Sequence, residues 1–326
     1  KHYINILKSK KNINIFVIDT KFNTKSKNYT LKKFDEIKKK NLKFKYAIIS
    51  TPSGLHYKHA LFFLKRGSHV LIEKPFVLKL NHARELINLS KKKNLKCWTS
   101  LQNRYNLATI KLKRDLKSEN IGKISLVDCT MIWHRNYEYY KNGWRGRYAL
   151  DGGVLTNQAI HLLDMLIYNF GKIKYFDVIA DFNKKKLEAE DLIIINFKHE
   201  NGILSSFKAT TRANRNYRSA IDIVGSKGRI IVKGVSLNTF NKFKRDKLVL
   251  DYNNSERFEN HSTAAGGMGF GHKKILKEFL SKNIKSSKNI EISENIYLLK
   301  IIHSVYNVIN KKKKFNNVQN INSLLG

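Results

Sequence analysis

The sequence predicts an α/β fold in two parts: a doubly wound parallel sheet, then an α+β domain with an open, mostly antiparallel sheet. Two observations predict it. Up to residue 101, short apolar runs alternate with helix-like stretches, which is typical of a parallel sheet with helices on both faces. From residue 123 onwards, strand-like runs follow one another with little helix between them, as in antiparallel sheets. We place the domains at residues 1–121 and 122–326, since a chain of 326 residues is long enough for both.

The first domain is predicted from short β-branched runs, which indicate buried strands, and from longer stretches with helical periodicity. Strands are expected at residues 13–19 and 95–101, and in the two runs that lead to Pro52 and Pro75. Helices are expected at residues 2–10, 31–40, 55–66 and 81–93. Asn81 is the expected N-cap of the last helix, because its side chain can accept a hydrogen bond from a free amide of the first turn.

The second domain is predicted to be rich in strands. They are expected at residues 123–134, 173–181, 191–199, 203–211 and 218–224. One amphipathic helix is predicted at residues 157–168, and two helices, at residues 273–281 and 293–309, close the chain. We expect these last helices to pack back on the first domain.

Only two prolines occur in the chain, against roughly 16 at the usual frequency of about 5%. Pro52 and Pro75 each follow an apolar strand-like run, so each marks the carboxyl end of a predicted strand. In open α/β sheets, the ligand crevice lies outside these carboxyl ends. The dipeptide Glu73-Lys74, directly before Pro75, is therefore expected at the edge of that crevice.

The composition argues against several other classes of function. The net charge is +38, but the lysines are spread along the chain and not clustered with aromatic residues, so we expect no specific nucleic-acid partner. No apolar run is long enough for a membrane span, and neither histidines nor cysteines have the spacing of metal ligands. Cys97 and Cys129 lie in strand-like runs, so we expect reduced core residues and a cytoplasmic protein.

A second segment with chemical potential starts at Gly152-Gly153, a pair that permits close backbone approach to a ligand. Asn157, His161 and Asp164 follow at i, i+4 and i+7, which predicts that one helical face carries them. Oxidation of an alcohol needs a base within ~3 Å of the hydroxyl and a group that stabilises charge on its oxygen. Histidine suits the base, and lysine can donate a hydrogen bond or act as the base when desolvation lowers its pKa.

With these motifs, the chain resembles the Gfo/Idh/MocA oxidoreductase family over essentially its whole length. Glu73-Lys74-Pro75 resembles the family hallmark, residues 51–56 its cofactor loop, and residues 152–164 its second-domain signature. The resemblance implies a Rossmann-type first domain and an enzyme with Lys74 and His161 as its catalytic pair. It also implies a set of residues that bind the cofactor: Asp19, Thr51, Pro52, His56, Glu73, Lys74 and Gln102.

Within that family, Trp144-Arg145-Gly146 followed by residues 157–161 resembles the branch that oxidises C3 of UDP-N-acetylglucosaminuronic acid, a step toward surface-polysaccharide sugars. Arginine binds carboxylate and phosphate bidentately, whereas this composition would supply lysine wherever charge alone suffices. The candidate arginines are Arg145, Arg147, Arg212, Arg215 and Arg218. The expected substrate-binding residues are Arg145, Asn157, His161 and Arg212. The resemblance further implies a homodimer or homotetramer that packs through the second-domain sheet.

The chain departs from the family pattern at its start. The family begins with a strand and a Gly-x-Gly-x-x-Gly turn that binds the pyrophosphate, and this sequence has neither. We therefore expect an N-terminally truncated chain that lacks the first strand and the glycine-rich turn. Asp19 at the end of its strand favours NAD over NADP, because a carboxylate accepts both ribose hydroxyls and repels a 2′-phosphate.

Two alternatives stay open. The first is a member of the same family that acts on a free sugar or a cyclitol, which should not bind UDP alone. The second is a non-catalytic protein that binds a sugar or a nucleotide on the same scaffold. Intact Lys74 and His161 argue against the second alternative, because a binding protein has no need of groups that handle protons.

Overall fold

The computed structural model describes residues 2–8, 13–19, 30–31, 34–141, 143–183, 187–244, 247–253, 271–281 and 288–310. Strands and helices alternate in the first part of the chain. In order, the elements are α1 (His2–Leu7), β1 (Phe16–Val17), β2 (Thr30–Leu31), α2 (Phe34–Lys39), β3 (Tyr46–Ile49), α3 (His56–Lys65), β4 (His69–Ile72), α4 (Leu80–Lys92), β5 (Cys97–Thr99) and α5 (Leu107–Lys117). Short 3₁₀ turns lie at Ser53–Leu55 and Gln102–Tyr105.

The parallel sheet has the strand order β3-β4-β5, and β1 and β2 form a separate parallel pair. Both faces of β4 are buried. Val70 and Ile72 pack into a cluster with α3 and α4, whereas Leu71 on the opposite face joins the main core beside Trp98. Burial on both faces explains why these strands are continuous apolar runs without polar alternation. The predicted doubly wound parallel arrangement is confirmed.

The second part of the chain is built on a mixed sheet. Its elements are β6 (Ile124–Ile132), α6 (Tyr137–Lys141), α7 (Ile160–Phe170), β7 (Ile173–Asp181), β8 (Leu192–His199), β9 (Leu204–Thr210), β10 (Arg218–Gly225), β11 (Gly228–Lys233), β12 (Thr239–Lys244), β13 (Lys247–Asn253), α8 (Gly271–Phe279) and α9 (Ile292–Asn310). The strand order is β13-β12-β11-β10-β6-β9-β8-β7, and β6 and β9 are the parallel neighbours among otherwise antiparallel pairs.

One face of this sheet is covered and the other is open. Along β8, Ile193, Ile195 and Phe197 are buried in the main core, while the residues between them are exposed. Helix α7 packs against β6 and β10 on the covered face. The predicted open, mostly antiparallel sheet is confirmed. Helix α9 packs on α4 and β5, and α8 packs on the 3₁₀ turn at Gln102–Tyr105, so both closing helices contact the first part of the chain.

Several local predictions are wrong. Leu31 belongs to β2 and not to a helix, because it pairs with Val17 of β1. Asn81 lies inside α4, whose N-cap position is Lys79, and its side chain accepts a hydrogen bond from the neighbouring amide of His82 at 3.0 Å. The start of α7 was placed too early, because Gln158 N and Ala159 N both donate to the carbonyl of Val154 and form turns ahead of the helix. The sequence also gave no indication of α5 or of β11 to β13.

Cys97 and Cys129 are both buried and unpaired. Burial raises the pKa of each thiol, so both are held in the neutral form. Within the part of the chain that the structure describes, no helix combines the length and the apolar composition needed to cross a bilayer.

Candidate active site

The carboxyl ends of β3, β4 and β5 lie side by side, because Ile49 is opposite Ile72 and Ile72 is opposite Thr99 in the parallel register. The segment after each strand therefore leaves the sheet at the same edge. These segments are residues 50–55, 73–76 and 100–105, and they hold Thr51, Pro52, Glu73, Lys74 and Gln102 from the predicted cofactor set. The peptide bond between Lys74 and Pro75 is cis.

The Lys74 side chain extends from the end of β4 to the segment ahead of α7. Its Nζ donates to the carbonyl oxygen of Asn157 at 2.5 Å and lies 3.5 Å from the Asn157 Oδ1. The side-chain Nδ2 of Asn157 in turn donates to Asp151 Oδ2 at 2.6 Å. Burial lowers the pKa of Lys74, although the charges of Glu73 and Asp151 oppose this shift. A lysine whose pKa is lowered can donate a hydrogen bond and can also exchange a proton with a ligand.

His161 lies next to this lysine. Burial, followed by repulsion from Lys74, lowers the pKa of His161 to about 3, so the imidazole is neutral at physiological pH. Gln102 Nε2 lies 3.3 Å from His161 Nε2. Because an amide NH₂ group can only donate, His161 Nε2 is the acceptor in this arrangement and Nδ1 carries the proton. The basic atom of the ring is therefore Nε2.

Glu73 is held ionised by residues from two distant helices. Tyr3 in α1 donates to Glu73 Oε1 at 2.5 Å and is also 2.9 Å from the Ser100 hydroxyl. His272 in α8 places Nε2 at 3.6 Å from the same carboxylate oxygen. Burial by itself would raise the pKa of Glu73, but His272 and the Tyr3 hydroxyl lower it to about 2. Sequence patterns gave no signal for Tyr3 or His272, because their contacts span much of the chain.

His56 joins two of the segments that follow the strands. Its Nδ1 lies 2.8 Å from the carbonyl of Pro75, and its Nε2 lies 2.7 Å from the carbonyl of Thr51. The ring is 1% exposed. His56 was predicted to bind the cofactor, but both ring nitrogens face backbone carbonyls, so the structure gives it the role of a clasp between the two segments.

Burial lowers the pKa of His56, so the neutral ring has one N–H and donates to one of the two carbonyls. Replacing His56 with alanine is expected to lower the stability of the protein by ~1–3 kcal/mol, the usual cost of an unsatisfied buried polar group, because that carbonyl loses its donor. We also expect weaker NAD binding, since both segments lie at the expected crevice. Chemical denaturation and calorimetry would measure the two effects. His59→Ala, in the same helix, is the matched control for stability, because His59 contacts the side chain of Thr51 and not the carbonyls of the two segments. Equal effects of the two substitutions would contradict the clasp.

Two arginines flank Tyr139 beside the site. The Arg145 guanidinium lies 4.2 Å from the centre of the Tyr139 ring and 4.5 Å from that of Trp144. The Arg135 guanidinium lies 5.3 Å from the same tyrosine ring. Both arginine charges act on Lys74 and lower its pKa. Among the described residues, neither arginine Nε has a hydrogen-bond partner. Arg145 was predicted from the sequence, whereas Arg135 was missed.

Two predicted residues are engaged elsewhere. Arg212 Nη2 and Nε donate to Asp191 Oδ1 at 2.7 and 3.0 Å, and its Nη1 donates to Asp181 at 2.6 Å, so two carboxylates already hold this guanidinium. Asp164 forms a buried ion pair with Arg104 and does not join Asn157 and His161. Asp19 was predicted at the end of the first strand; it is exposed and lies two residues beyond β1.

Comparison with family models matches most of the chain. Residues 7–101 match a model described as an oxidoreductase family with an NAD-binding Rossmann fold, and residues 109–231 match the GFO/IDH/MocA C-terminal domain. Among curated proteins, the uncharacterized oxidoreductase YhhX of Escherichia coli is 27% identical over 39% of this chain and 36% of its own length. Myo-inositol 2-dehydrogenase of Thermotoga maritima is 24% identical over 59% of this chain and 57% of its own length. The matched regions therefore span about a third to just over a half of these relatives.

Solved structures match more of the chain. The WlbA dehydrogenase from Chromobacterium violaceum, in complex with NADH and UDP-GlcNAcA, has a TM-score of 0.78 at 23% identity and covers 95% of this chain and 90% of its own. The WlbA dehydrogenase from Bordetella pertussis, with the same ligands, has a TM-score of 0.70 at 22% identity and covers 87% and 82%. Levoglucosan dehydrogenase in complex with NADH has a TM-score of 0.74 at 17% identity and covers 92% and 88%. At these identities, the likeness establishes a shared fold.

Proposed function

The chain belongs to the Gfo/Idh/MocA oxidoreductase family, and from this premise we propose that it is an NAD-dependent dehydrogenase of a UDP-linked amino-sugar uronate. UDP-N-acetylglucosaminuronic acid, oxidised at C3, is the substrate that we favour, in the biosynthesis of a surface polysaccharide. The observation that carries the proposal is the placement of Lys74 Nζ against Asn157, beside the neutral ring of His161. Arg135 and Arg145 add positive charge next to that pair.

The crevice offers polar groups that suit a dinucleotide. Among the described residues, the buried atoms Thr99 Oγ1 and Gln102 Oε1 have no hydrogen-bond partner at the edge of the parallel sheet. A ligand with hydroxyl and amide groups would satisfy such atoms. We propose that Asp19 binds the adenosine ribose, which favours NAD, and that Thr51, Pro52, Glu73, Lys74 and Gln102 line the remaining site. The bound nicotinamide would supply the hydride acceptor.

The residues of the chain would handle the proton. A substrate hydroxyl that replaced the Gln102 amide as the donor to His161 Nε2 could pass its proton to that nitrogen as the C–H bond gives up a hydride. Lys74 Nζ would donate a hydrogen bond to the same oxygen and stabilise the negative charge that develops on it. The backbone carbonyl of Asn157 orients Lys74 by accepting a hydrogen bond from Nζ, and Asp151 orients Asn157 by accepting one from its side-chain Nδ2.

The arginines indicate an anionic substrate. Arg135 and Arg145 lie on one tyrosine ring and have donor groups available in the part of the chain that the structure describes. A uronate attached to a diphosphate carries separate negative groups for two such arginines. The WlbA dehydrogenases, which share this fold, were solved with UDP-GlcNAcA, and that supports the same substrate class here. Arg212, predicted to contact the substrate, is a weaker candidate because two carboxylates hold it.

Replacing Arg145 with lysine is expected to lower kcat/KM for the uronate by the equivalent of ~1.5–3 kcal/mol, the usual worth of a charged hydrogen bond. Lysine keeps the positive charge but lacks the paired N–H donors with which arginine binds a carboxylate bidentately. UDP-N-acetylglucosamine, with a neutral C6 hydroxyl, should be a poor substrate and little affected. Steady-state kinetics with both sugars measures the difference. Arg84→Lys is the control, since Arg84 is exposed in α4 and is not one of the candidate arginines. A purely electrostatic role for Arg145 predicts unchanged kinetics in the lysine variant.

A dehydrogenase of a free sugar or a cyclitol is the rival function, and the similarity to myo-inositol 2-dehydrogenase favours it. Calorimetric titration with UDP separates the two. We expect UDP to bind and to compete with the nucleotide sugar, because the arginines would hold its diphosphate. Absence of UDP binding, combined with turnover of a cyclitol, would replace the proposed substrate while leaving the family unchanged.

We also propose that a second copy of the chain covers the open face of the mixed sheet, giving a homodimer or a homotetramer in the cytoplasm. Ile179 of β7 and Ile194 of β8 are cross-strand neighbours on that face, and both are exposed. Leu204 of β9 is exposed as well. Apolar side chains grouped in this way are typical of an interaction surface.

A further inference from the structure

Three consecutive backbone amides of the segment before α7 are held from outside that segment. Gly153 N donates to the Tyr306 hydroxyl at 3.0 Å. Val154 N donates to the carbonyl of Glu190 at 2.8 Å, and Leu155 N donates to Glu190 Oε1 at 2.9 Å. Tyr306 also donates to Glu190 Oε1 at 3.0 Å, so Glu190 and Tyr306 form one unit. Residues 153–155 therefore take their position from Glu190, which lies just before β8, and from Tyr306 of α9.

The carbonyl groups of residues 153 and 154 accept hydrogen bonds from the residues that lead into α7. Gly153 O accepts a hydrogen bond from Asn157 N at 3.0 Å, and Val154 O accepts one from Ala159 N at 2.8 Å. Helix α7 begins at the next residue, and His161 lies in its first turn. The positions of Asn157 and His161 therefore depend on a backbone segment whose amides are bound by Glu190 and Tyr306.

The carboxyl of Glu190 fits against this segment because Gly153 has no side chain. A Cβ on Gly153 would lie 2.0 Å from Glu190 Oε2, far inside van der Waals contact. Glu190 is fully buried, and among the described residues its Oε2 has no hydrogen-bond partner. Gly153, which the sequence suggested for close approach to a ligand, thus makes room for this carboxyl.

The charges around Glu190 do not favour its ionised form. Tyr306 of α9 donates a hydrogen bond to Glu190, and the carboxylate of Asp191 is next to it in sequence. Tyr148 is also close enough to interact with Glu190, and the backbone amide of Tyr148 donates to the Glu188 carboxylate. Burial, reinforced by Asp191, raises the pKa of Glu190 to about 7 against the opposing effect of the hydrogen bonds from Leu155 N and Tyr306. Near neutral pH, the group therefore exists in part as a neutral carboxylic acid.

We propose that Glu190, together with Tyr306, is a positioning residue of the dehydrogenase: it sets the geometry of Asn157 and His161 through the backbone of residues 153–155 and contacts neither substrate nor cofactor. The effect on turnover rests on the proposed function. The effect on the backbone does not, so each can be tested separately.

The test compares Glu190→Gln, Glu190→Ala and Tyr306→Phe, with Glu200→Gln as the control, because Glu200 is exposed. Glutamine keeps an acceptor for Leu155 N and Tyr306, so its kcat should stay within about threefold of the parent, whereas alanine should lower kcat by ~10-fold or more with little change in the KM for NAD. Tyr306→Phe removes the acceptor of Gly153 N while keeping the ring, and should fall between them. Equal kcat for the alanine and glutamine variants would overturn the proposal.

The pH dependence of stability gives a readout that needs no activity. The folded protein binds a proton at Glu190 that the unfolded chain releases between its ordinary pKa of 4.5 and about 7, so this group makes the protein less stable as pH rises through that window. Glu190→Gln removes that loss, so its melting temperature should gain roughly 2–4 °C on the parent between pH 5 and pH 8. Amide exchange at Leu155 should also be faster in Glu190→Ala than in Glu190→Gln. Equal exchange at Leu155 in the two variants would overturn the proposal whatever the substrate proves to be.

Discussion

Replacing Lys74 with methionine is expected to lower kcat by ~10²-fold or more, the usual contribution of a positioned group that transfers or stabilises a proton. Lys74 Nζ lies against the carbonyl of Asn157 at the edge of the sheet, and methionine has a similar length but no donor. Since burial already disfavours the charged lysine, we expect the melting temperature to stay the same or to rise. Loss of activity would then reflect chemistry and not unfolding.

The measurement is steady-state formation of NADH with the nucleotide sugar. Lys79→Met is the matched control, because Lys79 is an exposed lysine five residues further along the chain. We expect this control to keep kcat within about twofold of the parent, as is usual for surface substitutions away from a site. Retained turnover in Lys74→Met would remove Lys74 from the proposed mechanism.

Replacing His161 with alanine is expected to lower kcat by ~10²-fold or more as well, because the substrate hydroxyl then lacks a base within reach. NAD affinity should change far less, since the proposed mechanism places His161 on the substrate side of the crevice. His82→Ala, in α4 and stacked on Tyr57, is the control. Calorimetry with NAD and steady-state kinetics separate the two effects, and a large loss of NAD affinity without loss of kcat would place His161 on the cofactor side.

His161 also has a distinctive pH signature. Because burial and Lys74 lower its pKa to about 3, the basic form of the ring persists well below the pH at which an ordinary histidine is protonated. The pH dependence of kcat/KM reports the groups of the free enzyme. We therefore expect no acid limb from this residue near its reference pKa of about 6.5. An acid limb at that pH which disappears in His161→Ala would contradict the neutral environment described for the ring.

The parallel sheet and its crevice were predictable because local sequence carries both signals. Continuous apolar runs indicate strands buried on two faces, and the scarcity of proline made Pro52 and Pro75 conspicuous at the ends of two of them. Lys74 and His161 followed from their motifs, and the structure places both near one another. Helical spacing placed Asn157 close to His161, but the assumed helix was wrong at that position. Asn157 lies in turns before α7 and contacts Lys74 through its backbone carbonyl.

The elements and contacts that the sequence did not predict fall into two groups. Some depend on contacts between distant segments, and others have an apolar pattern that is interrupted by the many lysines. Helix α5 buries Ala108, Leu112 and Asp115 at helical spacing, but the basic residues between them hide that face in the sequence. Strands β11 to β13 are obscured in the same way. The partners of Glu73, which come from α1 and α8, and those of Arg212 have no local signature at all. Such pairings are set by the packing of whole elements.

The central claim is that this chain oxidises a UDP-linked uronate with NAD, and the most direct test is NADH formation with purified protein. UDP-N-acetylglucosaminuronic acid, UDP-N-acetylglucosamine and myo-inositol would be compared at equal concentration, with NAD and with NADP. We predict turnover of the uronate with NAD, lost in Lys74→Met, with the neutral nucleotide sugar and the cyclitol far slower. Equal or faster turnover of the neutral sugar or of the cyclitol would contradict the claim.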